Sequence, residues 1–111
     1  RSMPNLAAAV GQSPCALVAR GASEAQRAAL TDLADRLGGA EWFEDEVQFD
    51  LLTALIGSGP AFVYRFIEAL TLGAAELGLE GESAARLATR MVAGAAALAA
   101  ASPHSAGDLA R

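Results

Sequence analysis

Leu52-Thr53-Ala54-Leu55-Ile56-Gly57-Ser58-Gly59-Pro60-Ala61-Phe62 decides how the second half of this chain is read. Apolar residues at helical spacing run up to Ile56, and Gly57-Ser58-Gly59 then interrupts them. Proline suits the first turn of a helix, where its missing N–H would have no partner. The flanking glycines permit close passage of two backbones or positive φ. The stretch therefore predicts a helix over about Glu46 to Ile56, a tight interhelical turn, and a second helix opening at Pro60.

Downstream the pattern stays helical. The helix from Pro60 to about Leu77 carries Phe62, Val63, Phe66, Ile67 and Leu70 with few polar residues, and Gly78 ends it. A third helix covers about Glu82 to Ala101. Its first half is amphipathic, with Arg86 and Arg90 four residues apart, and Met91–Ala101 has no polar side chain on any face. A helix that is apolar all round is buried on all sides. Three helices cannot enclose two such members, so a partner subunit is the simplest cover.

Upstream, Cys15-Ala16-Leu17-Val18-Ala19 reads as a buried strand bounded by Pro14 and Gly21. Ser23 is a good N-cap for a helix over Glu24–Leu37, which has Glu24 in its first turn and Arg36 in its last. Gly38-Gly39 ends it, and Ala40–Glu44 can form one more short strand. Two strands do not make a stable sheet in water, so this strand–helix–strand piece calls for strands from elsewhere.

Composition narrows the function classes. Of 111 residues, 53% are apolar and only 19% charged, below the roughly 25% charged residues of an ordinary soluble domain. Surplus apolar surface belongs in an interface. A net charge of −5, with arginine as the sole strongly basic residue type, argues against a nucleic-acid partner, and without lysine there is no Schiff-base chemistry. One cysteine, Cys15, permits neither an intrachain disulfide nor a cysteine metal cluster, which suits the cytoplasm. No metal site is expected. The run Met91–Ala101 is too short to span a bilayer, so no membrane role is expected.

Two motifs in this order, Met3-Pro4-Asn5 and Gly57-Ser58-Gly59-Pro60-Ala61, resemble the pyrroline-5-carboxylate reductase family. The likeness runs over nearly the whole chain and covers the middle of such an enzyme. It implies a mainly α fold: a helical dimerisation domain over residues 46–111, incomplete at its C-terminus, preceded by a short β-α-β remnant of a Rossmann-type α/β domain over residues 1–45. It implies an oxidoreductase of proline biosynthesis, which passes hydride from NADPH or NADH to the C=N bond of 1-pyrroline-5-carboxylate and yields L-proline. Helices of two subunits interleave in that family, and each active site is completed by the partner. A homodimer or larger homo-oligomer is therefore expected. The chain has no G-x-G-x-x-G fingerprint and stops before the family's substrate-carboxylate turn, so alone it is expected to be inactive.

The resemblance also assigns residues. Pro4 and Asn5 fall on the loop beside the nicotinamide, although Leu6 and Ala7 replace the family's usual threonine and proline. Glu46 falls on the acidic residue that contacts the substrate ring nitrogen, where a negative charge favours the protonated imine that accepts hydride. Gly57, Ser58, Gly59 and Pro60 fall on a turn that shapes the active-site floor, with Ile56 in place of a family serine. Read without the family, Asn5 is a turn residue, Glu46 part of an acidic run at a helix start, and Ser58 a capping or packing residue. His104 reads as a surface residue and Cys15 as a small buried hydrophobe, while Arg86 and Arg90 read as a solvated face. Two other functions fit the same residues: a non-catalytic dimerisation module, and a related reductase of another imine or carbonyl.

Overall fold

The apolar run after Pro14 forms the middle strand of a small sheet. In the computed structural model, which describes all 111 residues, β2 (Cys15–Leu17) lies between β1 (Ser2–Met3) and β3 (Ala40–Trp42). β3 pairs parallel to β2, with Cys15 opposite Ala40 and Leu17 opposite Trp42; β1 pairs antiparallel, with Met3 opposite Ala16. The chain itself thus supplies a third strand. Two residues carry no periodicity, so β1 exists through its pairing and not through any pattern of its own.

Alternation across β2 sends its side chains to two different layers. Cys15 and Leu17 pack with Ala34 of α1 (Glu24–Leu37), beside Ala40 and Trp42. Ala16 and Val18 face the other way, onto Phe49 and Ile56, with Met3, Phe43 and Leu52 around them. Full burial of a side chain such as Phe49 is worth about 1.5–3 kcal/mol. The ion pairs of the chain are all solvent-exposed and add little, so the apolar layers hold this part together.

α1 begins with a capping box: Ser23 Oγ accepts from the Gln26 N–H at 3.2 Å, and Gln26 Oε1 accepts from the Ser23 N–H at 2.9 Å. It ends at Gly38, whose φ of 142° is glycine territory. Wholly buried Ser13 passes close by, its N–H donating to the Leu37 carbonyl at 2.8 Å. A Cβ on Gly38 would collide with the backbone of Gln12 and Ser13.

The expected stop at Gly57-Ser58-Gly59 is not there. α2 (Gln48–Leu52) passes through a π-helical segment (Thr53–Ser58) directly into α3 (Gly59–Glu76). Pro60 lies inside this unbroken run and opens nothing. Neither Gly57 nor Gly59 has positive φ; Gly59 is helical at φ −51°, ψ −43°. In an α-helix the Pro60 ring would press on the carbonyl of Ile56, the residue four back, and offer it no N–H. Widening the turn to the π register lets the helix pass that point.

Two compact units partition the chain, Arg1–Phe62 and Val63–Arg111. In the second, α3 ends through Gly78 at φ 99°, and α4 (Gly81–Ala101) follows. Glu80 caps α4 by accepting from the N–H groups of Glu82 and Ser83, and those bonds hold its carboxyl below the usual range. A short helix α5 (Ala106–Leu109), capped by Ser105, lies beyond the loop that carries exposed His104. The all-round burial expected for Met91–Ala101 is not met within the chain. α4 buries only Ala84 and Ala88, and α3 buries no residue. Phe62 is 76% exposed, Phe66 55%, Leu72 60% and Leu98 58%. At 21 residues α4 is longer than the apolar run inside it, and by length and composition it could cross a membrane.

Gly38→Ala is expected to cost more than about 2 kcal/mol, through both strain and collision with Ser13. Gly59→Ala, where a Cβ meets open space at helical φ, should leave stability unchanged or slightly higher. Urea denaturation of both variants checks the contrast; equal losses would contradict it.

Candidate functional site

Met3-Pro4-Asn5 leaves the end of β1 and turns at once. Asn5 adopts an extended conformation (φ −130°, ψ −176°) and caps a 3-10 helix over Leu6–Val10, which Gly11 ends at φ 67°. Its hydrogen bonds reach in several directions. The Asn5 N–H donates to Ser13 Oγ at 2.8 Å, and the Ser13 hydroxyl donates in turn to the Pro14 carbonyl at 2.9 Å. Asn5 Oδ1 accepts from the Ala7 N–H at 2.9 Å, and Asn5 Nδ2 donates to the Ile56 carbonyl at 3.0 Å. Met3 sits beside Gly57, its sulfur 3.8 Å from where a Cβ would be.

The loop at Met3–Asn5 and the π-helical segment thus meet, although some fifty residues separate them. The sequence marks both as motifs but contains no sign that they touch. Ser58 is exposed, and its hydroxyl makes no hydrogen bond within the chain, so it does not cap a helix. Gly59 and Pro60 are half-buried. The side of Gly59 where a Cβ would stand is open.

Glu46 occupies the turn before α2, where Asp45 Oδ1 accepts from the Val47 N–H at 2.8 Å. Its side chain is 38% exposed and is held between two arginines: Oε1 lies 3.0 Å from Arg1 Nη1, and Oε2 lies 3.7 Å from Arg20 Nη2. Arg1 also places its guanidinium over the Phe49 ring, 4.4 Å from the centroid, and its amino group donates to the Val18 carbonyl at 2.8 Å. The hydrogen bond from Arg1 holds the Glu46 carboxyl below the usual range; desolvation opposes it, and the charges of Arg1 and Arg20 add to it. At neutral pH the group is an anion. Such a carboxylate stabilises an adjacent cation and can hold the proton of a weak nitrogen base in place.

Arg1 and Arg20 were not among the residues singled out from the sequence. They belong to no periodic pattern, and only the fold carries them to Glu46. Other candidates lie apart from this cluster. Cys15 is buried in β2, and burial pushes its thiol up. Arg86 donates to Ser83 Oγ at 3.0 Å, and Arg90 is exposed. No three His, Cys, Asp or Glu side chains gather as a metal-binding set.

The family model described as pyrroline-5-carboxylate reductase dimerisation matches residues 46–111. Among curated proteins, the chain is 40% identical over 109 residues to a pyrroline-5-carboxylate reductase of Pisum sativum, covering 98% of this chain and 40% of that protein. It is 39% identical over 100 residues to the Pseudomonas aeruginosa pyrroline-5-carboxylate reductase, covering 89% and 37%. Among solved structures, a Coxiella burnetii pyrroline-5-carboxylate reductase superposes with a TM-score of 0.92 at 33% identity, covering 98% of this chain and 41% of that one. A Plasmodium falciparum pyrroline carboxylate reductase with NADP bound superposes with a TM-score of 0.87 at 26% identity, covering 97% and 44%. The chain spans about 40% of the length of the curated relatives it matches.

Because the Glu46 pKa is lowered in the fold, the stability its ion pairs contribute is present above the ordinary carboxylate pKa and lost as pH falls through the lowered one. A carbon-detected NMR titration should therefore find the Glu46 midpoint below 4.5, the unperturbed value. In Arg1→Ala the midpoint should rise. A wild-type midpoint at or above the unperturbed value would disprove the pairing.

Proposed function

We propose, on the premise that this chain belongs to the pyrroline-5-carboxylate reductase family, that it supplies the subunit interface and part of the active-site wall of such an enzyme. Residues 1–45 are the end of its dinucleotide-binding domain, and residues 46–111 are most of its helical dimerisation domain. The parent reaction is reduction of 1-pyrroline-5-carboxylate to L-proline in the cytoplasm. A hydride adds to the carbon of the C=N bond and a proton ends on the nitrogen.

NADPH or NADH supplies the hydride. Asn5 engages both ends of its carboxamide within the chain, so the loop serves the nicotinamide through Pro4 and its backbone shape and not through a free amide. Glu46 faces the imine nitrogen and favours its protonated form, because a carboxylate held anionic lowers the energy of a nearby cation. Gly57, Ser58, Gly59 and Pro60 form the floor, where bare backbone at Gly59 leaves room for a ring. The remaining contacts come from the rest of the parent and from its partner subunit, so this chain alone does not turn over.

The observation that carries the reading is the apolar surface of α3 and α4. A helix with no buried residue and two phenylalanines more than half exposed is half of an interface. A second copy covers it, with α3 and α4 of the two chains side by side. Their alanines and glycines allow close approach. The charges of Arg86 and Arg90 on α4 favour this cover over lipid.

Light scattering across a range of concentrations should give a dimer or larger assembly of this chain; a folded monomer at all concentrations would overturn the interface. In the full-length parent, Glu46→Gln should lower kcat/KM for 1-pyrroline-5-carboxylate roughly tenfold or more, the factor that one pKa unit of cation stabilisation represents. An unchanged kcat/KM would remove Glu46 from the substrate site.

A further inference from the structure

We propose that the Asn5 carboxamide satisfies the Ile56 carbonyl at the point where Pro60 disrupts the α-helical ladder, and so locks the Met3–Asn5 loop to the π-helical segment. In an α-helix the Ile56 carbonyl would accept from the residue four positions on. That residue is Pro60, which has no N–H. Asn5 Nδ2 donates to that carbonyl from outside the helix, at 3.0 Å and fifty-one residues away in sequence.

The direction of the amide is determined by its surroundings. Its oxygen meets a donor, the Ala7 N–H, and its nitrogen meets an acceptor, the Ile56 carbonyl. Flipping the group would set oxygen against oxygen and N–H against N–H. The backbone beneath it is pinned as well, since the Asn5 N–H donates to the hydroxyl of wholly buried Ser13. Aspartate would keep the Ala7 bond but turn an acceptor toward the Ile56 carbonyl. Alanine would keep neither. The position therefore selects asparagine for two opposite polarities in one rigid group. The functional meaning rests on the reductase reading: the loop beside the nicotinamide and the floor under the substrate then form one joint, and neither shifts without the other.

The test is a double-mutant cycle in this chain, with no activity measured, so that its failure is distinct from failure of the reductase reading. Asn5→Asp should lower Tm clearly. In the Pro60→Ala background, where the ring no longer bars the α register and residue 60 has an N–H that reaches Ile56 in it, the same change should cost less than half as much. Equal losses in the two backgrounds would overturn the proposal. If the variants do not fold, the wild-type chain decides alone. A scalar coupling across the hydrogen bond, between the Asn5 side-chain nitrogen and the Ile56 carbonyl carbon, should be detectable by NMR. Its absence, with the couplings of neighbouring helical hydrogen bonds visible, would equally overturn the assignment.

Discussion

A proline inside a continuous helix is the constraint around which the first unit is built. Its interior placement carries a penalty of about 3 kcal/mol, and one intramolecular hydrogen bond returns only about 0.5–1.5 kcal/mol. A single substitute donor does not balance that. The π register removes the collision with the Ile56 carbonyl, and Asn5 satisfies that carbonyl. Burial of Phe49 and Ile56 against β2 adds apolar stabilisation on the same side. Together these keep the run from Gln48 to Glu76 unbroken.

Electrostatics has a different part in this molecule. The pairs of Glu46 with Arg1 and Arg20 are exposed and add little to stability. Their consequence is chemical: they keep one carboxylate ionised next to the segment that begins the helical run. The negative charge of Glu46 is already compensated by the two arginines beside it.

The apolar surface follows from composition. The second unit has too many large apolar side chains for the two long helices it contains, and within α4 burial reaches only two alanines. In the reductase family, to which the chain belongs, this region carries the name of dimerisation. The same residues that leave the isolated chain exposed are thus the ones that assembly would cover.

Local order was legible from sequence where it rests on local chemistry. Ser23, the acidic start and Gly38 delimit α1 as expected, because capping and φ preference act within a few residues. The buried strand and the two long helices followed from runs of apolar side chains. Gly57-Ser58-Gly59-Pro60 misled for the same reason: its residue types signal a break, and the evidence that the helix continues lies in a side chain fifty-one residues away. β1 escaped because a two-residue strand exists only through its partner. Arg1 and Arg20 escaped because ion pairing between distant residues leaves no periodicity. Sequence by itself determined α1, the strands β2 and β3, the two long helices, the apolar excess and the family motifs, all of which are properties of neighbours along the chain. Only the tertiary structure decided that the proline stays inside its helix, that Asn5 meets Ile56, and that Glu46 is held by two arginines. Each of these depends on which donor and acceptor the fold brings within about 3 Å of one another.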